Sequence, residues 1–368
     1  MRNEDALLFL SYLNFDYKIK DELLNHFTLE HIEEIFDLSG DYFKENKLLT
    51  KNNIEKLVEE REKFNSDAYR DYLQKKKVNY VSILSENYPI NLKDIEYIPQ
   101  VIYYKGDILP EDEFALSIVG SRKCTNYGAW ATEYFARSIS ELGIRIVSGM
   151  ALGIDSISHR AALKSGGRTI AVLGCGVDIA YPKTNYRLYD EIIENGAVMS
   201  EFPIGMPPLA HNFPVRNRII SGLSKALLVI EAQDRSGTLI TSRFANEQSK
   251  EIFALPGNIN SLYSKGTNKL IKDGALIATD YQDIIDGVID FSEFILNKNK
   301  EKFFDKTEIR KLMYAVSDPE FMGNVILEND SPAIFAHPHP SSDTLNKAKE
   351  DFEKIKEKSN FNFSETPY

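Results

Sequence analysis

The sequence is poor in cysteine and contains no long apolar run. Its two cysteines, Cys124 and Cys175, stand far apart and lack the paired spacing of a metal-binding motif. This predicts a reduced, cytoplasmic setting, since disulfide-rich chains belong to oxidising compartments. No stretch approaches the roughly 18 apolar residues of a membrane span. The first residues lack the apolar core of a signal peptide, so we expect neither a leader nor a membrane segment.

Positive charge is also scarce over the chain as a whole. The 368 residues include 44 Lys and Arg against 55 Asp and Glu, which gives a formal net charge of -11. This total charge would repel a polyanion, so any contact with nucleic acid requires a local basic patch. The composition, 43% hydrophobic and 27% charged, is otherwise that of an ordinary globular protein.

Two glycine-rich signatures of nucleotide enzymes are missing. The dinucleotide fingerprint Gly-x-Gly-x-x-Gly does not occur, because Gly149 and Gly153 have the wrong spacing. A P-loop with Gly-Lys-Ser/Thr is absent too, which argues against NTP hydrolysis. The two histidines within residues 336–340 have no further ligand nearby, so we interpret this segment as a loop and expect no metal site.

Three regions of the chain differ in their residue patterns. Residues 1–65 repeat apolar side chains at helical spacing and predict a small helical, SAM-like domain. Residues 66–290 contain an approach segment with short strand patterns, and then the longest regular part of the chain. Residues 291–368 form a charged tail that does not resemble a winged helix, and we assign it no function.

From residue 114 onwards, short apolar strands alternate with amphipathic helices. The strand patterns cover residues 115–119, 145–147, 169–173, 197–199, 226–230 and 251–255. Continuous apolar strands of this kind indicate a parallel sheet that is covered on both faces. The predicted fold is therefore α/β, a doubly wound, mostly parallel Rossmann-like sheet with a small helical N-terminal domain.

Glycine, polar and basic residues follow these strands at their carboxyl ends, where such sheets bind ligands. Glycines there let a ligand approach the backbone and leave N–H groups free. The residues predicted at this edge are Gly120, Ser121, Arg122, Lys183, Asn185, Tyr186, Arg216, Asn217, Arg218, Ser236, Gly237 and Thr238.

Four residues at this edge of the sheet, which we call the rim, are basic, and together they predict a binding site for a polyanion. They are Arg122, Lys183, Arg216 and Arg218. Tyr181 and Tyr186 flank Lys183, and an aromatic ring beside a basic side chain suits unpaired bases. Two alternatives stay open at this point. Arg216 and Arg218 are also compatible with solvated side chains at a helix start, and each tyrosine with core packing.

Taken together and in this order, the motifs resemble the DNA-processing protein A (DprA/Smf) family. They lie between residues 88 and 278 and include Gly120-Ser-Arg122, Ser148-Gly-Met-Ala-Leu-Gly-Ile-Asp155, Phe213-Pro-Val-Arg-Asn-Arg218, Ser236-Gly-Thr238 and Pro256-Gly257. The resemblance implies a non-enzymatic protein without a cofactor that binds single-stranded DNA. Such a protein protects incoming DNA and loads a RecA-type recombinase onto it during natural transformation.

The resemblance also implies a homodimer and roles for individual residues. Arg122, Lys183 and Arg216 would contact phosphates, and Tyr186 would stack on a base. One departure concerns the helix after Thr241, where the family's Gly-Arg ending is replaced by Gln248-Ser-Lys250. This departure affects local helix packing and leaves the rim unchanged.

Two other functions use the same fold. The predicted Rossmann-like fold resembles that of the LOG-type nucleotide phosphoribohydrolases, in which a Pro-Gly-Gly-x-Gly-Thr motif is followed by catalytic glutamates. Here Leu239, Ile240 and Thr241 follow Ser236-Gly-Thr238, which leaves no carboxylate for glycosidic chemistry at that place. Glu201 and Glu231 remain as substitutes. A nucleotide-sensing module, the second alternative, would use the same rim without turnover.

Overall fold

The computed structural model describes residues 2–234, 236–303, 324–328 and 331–335. The helices are α1 (Arg2–Tyr12), α2 (Tyr17–His31), α3 (Gly40–Glu45), α4 (Lys51–Lys63), α5 (Ser66–Lys75), α6 (Asn126–Glu141), α7 (Ile154–Lys164), α8 (Tyr186–Asn195), α9 (Asn212–Gly222), α10 (Gly237–Glu247), α11 (Lys265–Lys272), α12 (Tyr281–Gly287) and α13 (Ile289–Phe303). The strands are β1 (Asn79–Ser82), β2 (Val101–Gly106), β3 (Ala115–Val119), β4 (Arg145–Ser148), β5 (Thr169–Val172), β6 (Gly196–Ser200), β7 (Ala226–Val229), β8 (Glu251–Ala254), β9 (Leu276–Ile277), β10 (Asn324–Glu328) and β11 (Ser331–Phe335).

The N-terminal region is helical, as predicted. Helix α1 is central to it, because residues 6–10 are apolar at five successive positions and are all buried. Polar side chains fix several helix starts: Asp16 accepts from the Lys18 N–H, and Asn65 accepts from the Ala68 N–H. These caps set where α2 and α5 begin.

The helical region continues through α5 and packs onto the sheet. The Tyr69 hydroxyl on α5 donates to the Tyr103 hydroxyl on β2, at 3.3 Å. The apolar core of the bundle also includes Val101 and Tyr103 of β2. The helices and the sheet therefore belong to one compact unit, Met1–Phe291.

A nine-stranded sheet forms the centre of this unit, in the order β1-β2-β6-β5-β4-β3-β7-β8-β9. Strands β3 to β9 pair in parallel, whereas β2 pairs antiparallel with both β1 and β6. The mostly parallel, doubly wound sheet is confirmed. Strand β9, which was not anticipated, has only two residues.

The strand order reverses beside β3, where the candidate site lies. From β3 the chain builds β4, β5 and β6 outward on one side, and it then returns to place β7 against the other edge of β3. The helical connections between neighbouring parallel strands are right-handed. Because the chain moves in one direction from β3 to β6 and then returns to β7, α6, α7 and α8 cover one face of the sheet and α9 and α10 cover the other. A crevice opens at such a reversal, at the carboxyl ends of the strands.

The chain beyond Phe291 forms a second unit, Ser292–Tyr368. Within it, β10 and β11 pair as an antiparallel hairpin. The segment 336–340 lies outside the described residues, as do residues 304–323, 329–330 and 341–368 of the predicted charged tail. Among the helices that the structure describes, none combines the length and the apolar character needed to cross a bilayer.

Candidate functional site

A cleft of about 690 Å³ lies at the strand reversal between β3 and β7. It is bounded by the loop after β3, the loop after β4 and the first turns of α9 and α10. The residues from the predicted set that line it are Gly120, Ser121, Arg122, Arg216, Asn217, Ser236, Gly237 and Thr238. Most of the predicted site residues are therefore brought together by the fold.

Arg122 and Arg216 place two positive charges around one aromatic ring. The guanidinium carbon of Arg122 lies 5.9 Å from the centroid of the Phe213 ring, and that of Arg216 lies 5.8 Å from it. Both distances allow a cation–π interaction. Arg122 is exposed, whereas Arg216 is buried in the floor of the cleft.

Arg216 is fixed by backbone carbonyls. Its Nη1 donates to the Gly149 oxygen at 3.0 Å and to the Val172 oxygen, and its Nε donates to Oδ1 of Asn217 at 3.2 Å. Burial lowers the pKa of Arg216 to about 10. The guanidinium thus remains charged at neutral pH and gives the floor a positive potential.

Asp155 is the carboxylate that balances this buried charge. Burial raises the pKa of Asp155, while the positive charge of Arg216 acts in the opposite direction. The residue lies in the first turn of α7, and its Oδ2 accepts from the Ala151 N–H at 3.4 Å. Of the described residues that line the cleft, Asp155 is the one acidic side chain.

Two glycines of the loop after β4 make this floor possible. A Cβ at Gly149 would lie 2.7 Å from Nη2 of Arg216, so no side chain fits there without displacing the guanidinium. Gly153 has a φ of +77°, and a Cβ on it would lie 2.4 Å from the Ser121 oxygen. The Ile154 N–H donates to that same oxygen at 3.2 Å, which locks the loops after β3 and β4 together.

Two helix N-termini face the cleft. Pro214 in the first turn of α9, and Gly237 and Thr238 in the first turn of α10, all line it, and neither first turn contains an acidic residue. The free N–H groups at a helix start attract anions. Together with the two arginines, they make the cleft suited to phosphate.

Arg218 is not part of the cleft. It is 1% exposed, its Nη2 donates to Oε2 of Glu201 at 2.5 Å, and its guanidinium lies 5.2 Å from the centroid of the Tyr17 ring on α2. Two residues along a helix rotate a side chain by about 200°, so Arg216 and Arg218 point to nearly opposite sides of α9. Arg218 thus contacts the N-terminal helices rather than the cleft, although its place after the strand predicted the same edge as Arg216.

The turn before α8 lies outside the cleft lining. Lys183 and Tyr186 are exposed there, and the Tyr186 hydroxyl accepts from Nε of Arg187 at 2.9 Å. Asn185 is buried and donates to the Met150 oxygen at 2.9 Å, which anchors the turn. Tyr181, in contrast, lines the cleft, with its ring centroid 5.4 Å from that of Phe213.

Sequence reasoning missed several lining residues. Phe213 stood within a quoted motif but was not assigned a role, although that motif also contains Arg216 and Arg218. Lys123 and Gln233 also line the cleft and are exposed. Lys123 directly follows Arg122, and this adjacency could have predicted that Lys123 also lines the site.

The carboxylates considered for glycosidic chemistry are engaged elsewhere. Glu201 pairs with Arg218, and Glu231 accepts from the Thr125 N–H at 2.9 Å and from the Thr125 hydroxyl at 2.5 Å. Neither of them lines the cleft. His159 is also buried away from it and bonds through Nδ1 to the Thr169 hydroxyl at 2.7 Å.

Comparison with known families and proteins gives a consistent result. The family model described as DNA recombination-mediator protein A matches residues 79–288. The chain is 40% identical over 244 residues to protein Smf of Escherichia coli (strain K12), a match that covers 66% of this chain and 64% of the relative's length. It is 44% identical over 204 residues to DNA processing protein DprA of Streptococcus pneumoniae, covering 55% of this chain and 72% of the relative.

Solved structures agree with these matches. The X-ray structure of DNA processing protein A from S. pneumoniae covers 77% of this chain and 98% of its own, with a TM-score of 0.67 and 34% identity. DNA processing protein A from Helicobacter pylori, described for its single-stranded DNA binding mode, has a TM-score of 0.52 and 32% identity and covers 58% of this chain and 96% of its own.

Proposed function

The chain belongs to the DNA recombination-mediator protein A family, and from this premise we propose that it binds single-stranded DNA in the cleft between β3 and β7. The carrying observation is that Arg122, Arg216 and two helix N-termini converge on that one cleft. The description of the similar H. pylori protein as a single-stranded DNA binder supports the proposal.

Phosphates would be held by an exposed and a buried arginine acting differently. Arg122 meets the backbone of the strand directly, because it is exposed at the cleft edge. Arg216 acts as a fixed charge from below, since its Nη1 already donates to two backbone carbonyls and its Nε to Asn217. Each neutralised phosphate adds roughly 0.7 to the salt slope of single-strand binding, so binding would be salt-sensitive and largely independent of sequence.

Bases would stack on the aromatic wall of the cleft, formed by Tyr181 and Phe213. A stacked base needs a ring face rather than a specific hydrogen-bond pattern, which suits binding to any sequence. Lys183, as a phosphate contact, and Tyr186, as a stacking residue, are proposed to extend the site on the exposed turn before α8.

We further propose that the bound strand is passed to a RecA-type recombinase and that the chain acts as a homodimer. The edge of the sheet supports a dimer, because Leu276 and Ile277 of β9 are both exposed there. An apolar edge strand offers unpaired backbone groups together with hydrophobic surface to a second copy.

The DNA-binding proposal can be tested by fluorescence anisotropy with labelled poly-dT and the matching duplex at two salt concentrations. We expect the protein to prefer the single strand, and Arg122→Ala to weaken binding and to reduce the salt slope by roughly 0.7. Lys51→Ala is the charge-matched control, because Lys51 is exposed at the start of α4 and pairs only with Glu55 among the ion pairs of the described residues. Equal binding by wild type and Arg122→Ala would contradict the assignment of the cleft.

A further inference from the structure

Helix α6 carries three aromatic rings on its solvent side, which we call the α6 stripe: Tyr127, Trp130 and Tyr134. Trp130 is 61% exposed and Tyr127 is 46% exposed. The opposite face of the helix, with Ala131, Phe135 and Ile139 among others, is the one buried against the sheet. The stripe is therefore separate from the buried face of α6, and its two tyrosine hydroxyls donate to Pro256 and Asp280 in other parts of the chain.

The rings of the stripe are arranged in one row. The Trp130 ring lies 6.3 Å from Tyr127 with an angle of 22° between the planes, and 5.8 Å from Tyr134 with an angle of 7°. Seven residues of helix separate Tyr127 from Tyr134, so the row is about 10 Å long. It presents nearly parallel ring faces and edges rather than an irregular apolar patch.

The stripe is continuous with the cleft. Arg122 and Lys123 line the cleft, and the same loop continues to Thr125, whose hydroxyl accepts from the Gly128 N–H at the start of α6. A second cavity, of about 570 Å³, lies next to this loop and is lined by Thr125, Tyr127, Pro256 and Asn258, among others. The Tyr127 hydroxyl closes its wall by donating to the Pro256 oxygen at 3.2 Å.

The charges around the stripe are of both signs. Arg137 pairs with Glu141, and the Tyr134 hydroxyl donates to Asp280. Glu133 is exposed beside Trp130. The stripe thus offers ring faces and has no surplus of positive charge, so a ligand that uses it would gain stacking rather than phosphate neutralisation.

We propose that the α6 stripe is a second contact for single-stranded DNA, on which bases leaving the cleft stack, with Trp130 at its centre. The proposal rests on the function proposed above. Continuity with the basic cleft makes this occupant fit better than a protein, because the strand held at Arg122 is delivered to the loop that leads to Tyr127. Stacking of bases on an aromatic ring depends little on the DNA sequence, which matches the sequence-independent binding proposed for the cleft.

The single tryptophan makes the site directly observable, since Trp130 is the one tryptophan of the chain. We expect its fluorescence to be quenched by unlabelled dT of about 16 nucleotides but not by dT of about 4 nucleotides, lengths that bracket the usual site sizes of single-strand binding domains. The short oligomer would fill the cleft without reaching α6. Unchanged emission at saturation with the long oligomer would overturn the proposal.

Substitutions at Trp130 separate stacking from hydrophobic contact. Trp130→Leu keeps an apolar side chain but removes the ring, and we expect it to weaken binding of the long oligomer by at least about fivefold, the lower end of what one base stack contributes. Trp130→Phe should restore most of the affinity. The salt slope should stay at the wild-type value in both variants, because no phosphate contact is lost.

The control and the remaining outcomes distinguish the two proposals. Tyr72→Leu removes an exposed ring on α5 instead and should change neither oligomer's affinity. If Arg122→Ala weakens both oligomers while Trp130→Leu weakens neither, the stripe is not a DNA contact although the cleft is. If wild type binds neither oligomer, the proposed function fails and the stripe proposal with it. Trp130 emission that depends on protein concentration without DNA would instead make the stripe an interface between copies.

Discussion

Arg216 shows how one side chain holds a charge in the floor of the cleft. Its guanidinium is buried, yet two carbonyl oxygens and the nearby carboxylate of Asp155 offset the loss of water. An arginine that is held in this way loses little conformational freedom when DNA binds. Arg122, which is exposed, must be ordered on binding, so the two residues contribute differently to affinity.

His159, which is buried outside the cleft lining, makes stability depend on pH. Burial lowers the pKa of His159 from 6.5 to about 3. Below pH 6.5 the unfolded chain therefore binds a proton that the folded chain does not. The stability contributed by neutral His159 is present above this pH and is lost as the pH falls towards 3.

We expect His159→Gln to make the unfolding free energy depend less on pH below pH 7. Between pH 7 and pH 5 the wild type should lose about 2 kcal/mol more of its unfolding free energy than the variant. Urea unfolding at the two pH values measures this difference. His31→Gln, at an exposed site on α2, controls for the loss of a histidine. Parallel profiles for wild type and His159→Gln would show that His159 does not titrate on unfolding.

The position of a rim residue could be predicted from the sequence when that residue directly follows a strand. Arg122, Arg216 and the Ser236 turn follow strands with clear apolar patterns, so their meeting at one edge could be inferred. Lys183 and Tyr186 also follow a strand, but the turn that carries them leads away from the cleft lining. The path of such a turn depends on tertiary hydrogen bonds, such as the one that Asn185 donates to the Met150 oxygen. The sequence pattern does not predict these bonds.

At the scale of elements, α9 joins the cleft to the N-terminal helices. Arg216 on one side of it forms the floor of the cleft, and Arg218 on the other side pairs with Glu201 against Tyr17 of α2. Among the described residues, Nε and Nη1 of Arg218 and Oε1 of Glu201 have no hydrogen-bond partner. This ion pair is thus buried but incompletely satisfied, a state in which loss of one partner is costly.

We expect Glu201→Leu alone to lower the unfolding free energy by about 3–5 kcal/mol, because it leaves the Arg218 charge buried without a counter-charge. The double variant Glu201→Leu with Arg218→Met should recover most of that loss, since an apolar pair of similar volume fits the same space. A double-mutant cycle in urea gives the coupling energy. Additive effects of the two substitutions would mean that the pair is not coupled.

Elements differed in how well their residue patterns predicted them. The parallel strands β3 to β8 were predictable because each contains a short, mostly apolar run that is followed by glycine, proline or a polar residue. Strand β9 contains two residues, too few to give a periodic pattern. Helix α5 was not separated from the approach segment, since its buried side, Tyr69 and Leu73, is defined by contact with β2 and the bundle.

The whole molecule combines a net charge of -11 with a basic cleft. Such a distribution restricts attraction of DNA to the cleft, because the field of the rest of the surface is repulsive. The proposed dimer would place two such clefts in one particle. Its contact is expected at the β9 edge, where the sheet ends with exposed Leu276 and Ile277.

We expect Ile277→Lys to shift the particle mass from two chains to one in analytical ultracentrifugation, since an edge-facing lysine disfavours strand pairing. Binding of a short dT oligomer should be retained, because β8 lies between β9 and the two strands that flank the cleft, β3 and β7. Ile259→Lys, at another exposed apolar position, is the matched control. A dimer that survives Ile277→Lys would exclude β9 as the contact.

The return of the chain to β3 has a consequence for the order in which the protein is made. The Ser117 hydroxyl donates to the Ile220 oxygen, 103 residues later, and the Thr125 N–H donates to Glu231, 106 residues later. During synthesis the first half of the sheet is complete before either partner exists. The cleft is therefore absent from the nascent chain until the start of α10 leaves the ribosome, so a partly translated chain lacks the proposed DNA site.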